Sequence, residues 1–524
     1  MRFPPEHGRN VGKMAIKIIL VLLFFATMLS IGFYCRRHAT DVSGFVLGGR
    51  SVGPWLTAFA YGTSYFSAVI FVGYAGQFGW KYGIAATWIG LGNALIGSLL
   101  AWVILGRRTR IMTQHLGSAT MPDFFGRRYH SRAMKIVSSV IVFVFLIPYT
   151  ASLYNGLSRL FGMAFNIDYS VCIIVMAVLT GIYVVVGGYM ATAITDFVQG
   201  IIMLFGIVAV VGAILRCNGG FTAAVRALAM VEDAKASTQP GVFASFFGPD
   251  PLNLLGVVIL TSLGTWGLPQ MVQKFYAIKS ETNIKKGAII STLFAIVIAG
   301  GCYFLGGFGR LYGGVVNVAT DGYDAIVPAM ISELSPLLVG IVVVLVLSAS
   351  MSTLSALVLA SSSTFTIDFL KESFMKEMNE KKQLLIMRLL IVVFIAISVV
   401  IAIVQYRSNL TFIAQLMGVS WGALAGAFLA PFLYGLYWKR TTKAAAWFSM
   451  IFGAGLMILN LFFRKTFPVL LQSPINAGAF AMLANLVLVP LVSLFTPKLD
   501  KAEVEADFQC YEARVQVPKR EALD

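Results

Sequence analysis

The sequence predicts an all-α polytopic membrane protein, and three observations predict it. Of its 524 residues, 58% are hydrophobic and only 12% are charged, against roughly 25% charged in a soluble globular domain. The mean hydropathy is +0.82. Apolar stretches of roughly 20 residues recur along the whole chain, each long enough to cross a hydrocarbon core of about 30 Å, and about thirteen can be counted. The remaining charges cluster in the short connections between those stretches. The usual prior of one domain per ~150 residues therefore does not apply.

The first span, Met14–Cys35, runs into Arg36 and Arg37. No small-residue cleavage site follows before the next span, so it reads as a retained helix rather than a signal peptide. With the polar connector Arg36–Gly53 it forms an N-terminal unit, 1–52. Ten core spans follow, at 53–79, 83–105, 135–164, 168–187 and 189–216, then 252–278, 286–311, 335–365, 384–405 and 409–437. They split into core units 53–216 and 252–437 about a longer connection, 217–251. Each unit has five spans, an odd number, so the second enters from the opposite side, as in an inverted repeat. Two closing spans, 443–464 and 475–496, make up the unit 438–496. The charged tail, 497–524, is expected to be disordered or only locally helical, and is too short for a catalytic domain.

Interrupted helices at matching positions of two such units point to a binding site. The first core span carries Gly62, Gly73, Gly76 and Gly79; the sixth carries Gly264, Gly267 and Pro269 in GTWGLPQ. Proline lacks an N–H and disfavours helix at the preceding residue. A break there frees backbone carbonyls, tolerable at membrane depth only where they line a cavity. Close packing of small residues, or a plain kink, is the competing reading of each.

The net charge of +17 suggests nucleic acid, but its distribution argues for membrane orientation instead. Basic residues concentrate in 106–135 (Arg107, Arg108, Arg110, Arg127, Arg128, Arg132, Lys135), 274–286 (Lys274, Lys279, Lys285, Lys286) and 371–388 (Lys371, Lys376, Lys381, Lys382, Arg388). These connections, the Lys439–Lys443 turn and the tail after Lys498 fall on one side. The connection 310–335 falls on the other and sets Asp321, Asp324 and Glu333 against Arg310. The N-terminus is therefore expected outside and the C-terminus in the cytoplasm, although Arg2, Arg9 and Lys13 run against that rule. Cys35, Cys172, Cys217, Cys302 and Cys510 have neither metal-ligand spacing nor a disulfide framework.

Residues 346–363 read VLSASMSTLSALVLASSS, an apolar helix studded with hydroxyls. Ala349, Ser352 and Thr353 stand at i, i+3 and i+4, so one carbonyl and two hydroxyls share a face. Neutral oxygen suits a hard cation such as sodium. Asp196, in GGYMATAITDFVQGIIMLFG, reads either as a helix-start cap near the cytoplasmic end or as a carboxylate beside a cation path. Gln199, one turn on, reads as a packing or hydrogen-bonding residue. Arg159 either snorkels to the outer interface or meets an anionic solute. Tyr149 and Thr150, after Pro148, either offer hydroxyls to a central cavity or serve helix contacts. Asn409 to Thr411 fits a glycosylation sequon on the external side.

Four stretches together resemble the sodium/solute symporter family: FVLGGRSVGPWLTAFAYGTSYFSA, VVVGGYMATAITDFVQG, LSASMSTLSALVLASSS and APFLYGLYWKRTT. The resemblance covers nearly the whole chain. It implies sodium bound between the first and eighth core helices, by the carbonyls of Thr63, Phe66 and Ala349 and the hydroxyls of Ser352 and Thr353. It also implies a second cation or coupling site at Asp196 and Ser355, where Ala356 replaces one of the family's serines. For the solute it implies the two breaks and their surroundings: Ser64, Tyr65, Tyr149, Thr150, Thr261, Thr265, Trp266, Pro269 and Gln270. Thr261 and Thr265 stand where proline-carrying members have Trp and Tyr, and Tyr65 stands where some carry Asp. The pocket is thus small and weakly polar, suited to a small zwitterion or anion.

The expected function is sodium-coupled symport of a small organic solute, such as proline or a related zwitterion, by alternating access at the plasma membrane. Uptake of a monocarboxylate or other small anion, a proton-coupled carrier using Asp196, and a membrane sensor are the alternatives. A channel would need a pore motif or an arginine series, and an enzyme a nucleophile–base set; neither is visible. No cofactor is expected beyond sodium as coupling ion. The expected partners are the solute, sodium and the bilayer, not nucleic acid, with oligomeric state left open.

Overall fold

A computed structural model describes residues 6–165, 168–233, 236–237, 239–408 and 413–512. Among these residues the backbone is helical, and the only β pairings are the isolated bridges Val52 with Ile278 and Asp233 with Ser237. Ten helical stretches are long and apolar enough to cross a membrane, or eleven if the bent pair Pro251–Gly267 and Pro269–Ala277 is one span. Two of the ten, Val69–His115 and Ser170–Cys217, run to 47 and 48 residues. At ~1.5 Å per residue each is about 70 Å long, more than twice a bilayer core. Each contains a glycine in left-handed backbone where the chain changes direction: Gly83 at φ 61° and Gly188 at φ 56°. A side chain at Gly83 would also meet the Phe243 carbonyl at 2.0 Å.

Both expected breaks are present. Pro54 starts a helix that runs to Thr63; the chain then leaves helical geometry across Ser64–Ser67 and resumes through wide π-type turns at Val69–Tyr74. Pro251 likewise starts a helix that ends at Leu263. A tight turn, Gly264–Gly267, and an extended Leu268 (φ −87°, ψ 122°) lead into the helix Pro269–Ala277, bent by 47°. Proline opens the inner arm, where its missing N–H costs nothing.

The hydroxyl-rich helix Pro336–Thr364 and the helix Ile413–Tyr437 form the centre, with 78% and 94% of their apolar windows buried, against 17% for the first helix and 33% for Glu380–Arg407. The peripheral helices turn residues such as Leu22, Leu23, Phe205, Phe462 and Phe495 outward, as a lipid-facing surface requires. Pro336–Thr364 packs against Tyr169–Cys217, Arg132–Phe165 and the first helix.

Two expectations need correction, and one is sharpened. Not all the basic residues assigned to loops are solvated: Arg110, Arg128 and Lys274 are buried. Among the described residues the tail is locally helical over Lys501–Phe508, as expected, capped by Asp500, and this helix is docked. Lys439 pairs with Glu505 at 2.6 Å, His115 meets the Ala506 carbonyl at 3.0 Å, and Asp507 lies 4.0 Å from Arg128. Burial pushes the Asp507 carboxyl above its usual range, with Arg128 pulling it back. Asp196 lies well inside the helical arm after Gly188 and is buried, so it caps nothing. The sequon at Asn409 and the Arg159 side chain lie outside the described residues.

Candidate functional site

The last helical donors before the first break fold back, Ser64 N–H to Ala60 and Tyr65 and Phe66 N–H to Gly62. The Thr63 carbonyl faces the hydroxyl-rich helix instead. Ser352 Oγ lies 3.1 Å from it and Thr353 Oγ1 3.2 Å. The same two hydroxyls lie 3.1 Å from the Ala349 carbonyl. Two carbonyls and two hydroxyls, all on buried residues, thus form one compact set of neutral oxygens. Phe66 is buried beside them and shares with Ala349 a cavity of about 10 Å³. Four of the five expected sodium positions are in mutual contact, and the fifth adjoins them.

Asp196 has a partner that sequence reasoning missed. Lys274 Nζ lies 3.8 Å from Asp196 Oδ2, both side chains are buried, and neither carboxylate oxygen has a hydrogen bond. The ammonium also sits 5.1 Å from the Tyr189 ring. Lys274 belongs to the inner arm Pro269–Ala277, every residue of which is buried. The available signal was polar spacing: Gln270, Gln273 and Lys274 stand at i, i+3 and i+4 on that arm. Ser355 Oγ is engaged with the Ser352 carbonyl at 2.9 Å. Gln199 Nε2 donates a hydrogen bond to Met28 Sδ at 3.2 Å.

Most of the expected solute residues hold the breaks in place. Thr261 Oγ1 and Ser262 Oγ reach Asn93 Oδ1 at 2.9 and 3.1 Å, and Tyr65 donates to the Thr261 carbonyl. Thr265 and Trp266 donate to the Gly97 and Ile96 carbonyls at 3.0 Å each. Thr150 bonds back to Leu146 at 3.0 Å within its own helix. Pro269 starts the inner arm. In contrast Ser64 Oγ, Tyr149 Oη and both side-chain polar atoms of Gln270 are buried without a hydrogen-bond partner.

Two further residues at this centre were missed. Asn93 organises the sixth-helix break from the second core span. Trp421 stacks on Tyr65 and meets Tyr149 edge-on. The signal for Trp421 was its place: tryptophan favours membrane interfaces, and this one stands mid-span in GVSWGALAGA.

The model of the family described as "Sodium:solute symporter family" matches residues 45–453. The osmoregulated proline transporter of Bacillus subtilis is 28% identical over 97% of this chain and 100% of its own length. A sodium/proline symporter of Staphylococcus aureus is 31% identical over 93% of this chain and 94% of its own. A solved substrate-bound, outward-open Na+-coupled sialic acid symporter superposes with a TM-score of 0.72 at 16% identity, covering 93% of this chain and 99% of its own. That likeness bears on the fold.

Proposed function

The chain belongs to the sodium:solute symporter family, and we propose that it draws proline, or a close zwitterionic relative, inward with one sodium ion by alternating access. Members of this family move solutes and are not enzymes, and sodium serves as coupling ion rather than cofactor. The observation that carries the proposal is the contact of Ser352 and Thr353 with the Thr63 carbonyl at the first break. Proline is chosen because the relatives at 28% and 31% identity carry it in their names.

In this reading sodium is held by the carbonyls of Thr63, Phe66 and Ala349 and the hydroxyls of Ser352 and Thr353. Without the ion, the hydroxyls rest on the Thr63 and Ala349 carbonyls, so those four oxygens satisfy one another. With it, each hydroxyl turns a lone pair to the cation. The ion then ties the first broken helix to the hydroxyl-rich helix and preorganises Ser64 and Tyr65 for solute. Tyr149 and Gln270 face the solute; Thr150, Thr261, Thr265, Trp266 and Pro269 position the surrounding backbone. Coupling is reciprocal: the factor by which sodium tightens solute is the factor by which solute tightens sodium. A membrane potential adds ~2.3 kcal/mol per charge per 100 mV.

Asp196 and Ser355 complete the coupling machinery without a second ion, because the Lys274 ammonium already balances the carboxylate. The protein crosses the plasma membrane thirteen times, with the N-terminus outside and the C-terminus in the cytoplasm. Dividing the two long stretches at Gly83 and Gly188 raises eleven spans to that number. Residues 53–216 and 252–437 form the two inverted repeats, with 1–52, 217–251, 438–496 and 497–524 as additions.

Uptake of labelled proline into proteoliposomes, driven by an inward sodium gradient and competed with amino acids and monocarboxylates, tests the proposal. Sodium-dependent proline uptake supports it. Preference for a monocarboxylate would move the solute class. Uptake driven by a pH gradient without sodium would transfer coupling to Asp196.

A further inference from the structure

Three aromatic side chains from three separate elements meet where both broken helices open. Tyr65 lies within the first break. Trp421, from Ile413–Tyr437, stacks on it with centroids 5.6 Å apart and planes 25° apart. Tyr149, from Arg132–Phe165, meets the indole edge-on at 5.8 Å and 88°. The indole also lies against the second break: a side chain at Gly264 would meet Trp421 Cε3 at 3.2 Å. The Tyr149 hydroxyl faces Trp421 and Ser67.

The polar atoms of this group bear on what it could bind. Trp421 and Tyr149 are 1% and 0% exposed, yet the indole N–H and the phenol hydroxyl make no well-formed hydrogen bond. Buried donors in native proteins are nearly always paired. The neighbouring Trp266, by contrast, gives its N–H to Ile96, and Tyr65 gives its hydroxyl to Thr261. The Trp102 N–H and the Tyr154, Tyr189 and Tyr303 hydroxyls also lack an acceptor; Trp421 differs in lying against Tyr65 of the first break, Gly264 of the second and the Tyr149 ring. At the breaks, the indole N–H and the phenol hydroxyl face each other, with Ser67 beside them, and have no well-aligned acceptor.

We propose that Trp421 is a specificity-determining residue: its indole N–H, together with the Tyr149 hydroxyl, receives the solute's carboxylate, while the Tyr65 and Trp421 rings hold its apolar body. The inference rests on the symport reading above and names the group recognised. Two neutral donors suit a group that only accepts. The carboxylate's charge is balanced by sodium, because Thr63 precedes Tyr65 by two residues and its carbonyl belongs to the neutral oxygen set. Solute and ion are thereby joined through one short stretch of broken helix, Thr63–Tyr65.

Trp421→Phe keeps an aromatic ring and removes the N–H. The experiment compares wild type, Trp421→Phe and Tyr149→Phe in sodium-driven proline uptake. Inhibition by prolinamide, which lacks the carboxylate, is measured in parallel. The expected result is a KM for proline raised about tenfold in each variant, the loss of one hydrogen bond to a charged group. The maximal rate and the half-saturating sodium concentration at saturating proline stay within about threefold, and prolinamide inhibition falls less than proline affinity does, because its amide oxygen accepts only neutral hydrogen bonds. Stabilisation by sodium alone, retained in both variants, shows that they fold. An unchanged proline KM in folded Trp421→Phe overturns the assignment, as does an equal loss of prolinamide inhibition. Absence of proline uptake by wild type sinks the symport reading itself, and the carboxylate assignment falls with it.

Discussion

The oxygen set at Thr63, Ala349, Ser352 and Thr353 and the pair Asp196–Lys274 are both buried, and they meet the cost of burial by opposite chemistry. The first uses neutral groups that satisfy one another at 3.1–3.2 Å. It can accept a cation and release it, since neither state strands a charge. The second places an acid and a base 3.8 Å apart without supporting hydrogen bonds to the acid. Such a pair is self-neutralised but expensive to break, because removing one partner leaves the other charge buried. A site that must load and empty on every cycle is better built from the first kind. The second kind suits a fixed tie, here between the arm after Gly188 and the inner arm Pro269–Ala277.

The largest expected effect comes from breaking that tie on one side. Lys274→Met strands Asp196 and is expected to cost about 3–5 kcal/mol, read as a lower melting temperature in detergent. The double variant Asp196→Asn with Lys274→Met should recover most of the loss. A double variant no more stable than the single would mean that the charges are not coupled.

Changes at the neutral set should act on the ion instead of the fold. Thr353→Ala or Ser352→Ala removes one oxygen, and the half-saturating sodium concentration should rise at least tenfold. The sodium-free melting temperature should move little, because the lost hydroxyl had only neutral partners. Unchanged sodium affinity in both variants would return this face to plain helix packing. The smallest effect is expected at Ser355→Ala, whose hydroxyl is engaged with the Ser352 carbonyl. Sodium affinity should stay within about twofold; a loss matching that of Thr353→Ala would restore a second cation site.

The same contrast marks what could be read before the fold was known. Ala349, Ser352 and Thr353 were legible because their relation is local: helical spacing alone puts them on one face. The second break was legible from Gly264, Gly267 and Pro269 for the same reason; the first falls at Ser64–Ser67, beside Gly62 and away from Gly73, Gly76 and Gly79. Lys274 was not, because its neighbours in sequence look like a cytoplasmic loop, and only the bend after Leu268 carries it back beside Asp196. Trp421 and Asn93 are single residues whose meaning lies in partners from distant spans. The docking of Lys501–Phe508 on Arg128 and Lys439 is likewise tertiary. Gly83 and Gly188 stood at expected span boundaries, and each takes a positive φ where the chain turns, although helical turns continue directly on either side.

The measurement that goes most directly to the central claim is the melting temperature of wild type and Thr353→Ala in sodium against potassium, with proline titrated into each. Ligands that bind only the folded state raise it by mass action, and coupling must show from both directions. The account predicts that sodium stabilises wild type, that proline adds to this only when sodium is present, and that Thr353→Ala loses both effects at the same concentrations. Equal stabilisation by proline in potassium, or a Thr353→Ala response identical to wild type, would contradict it.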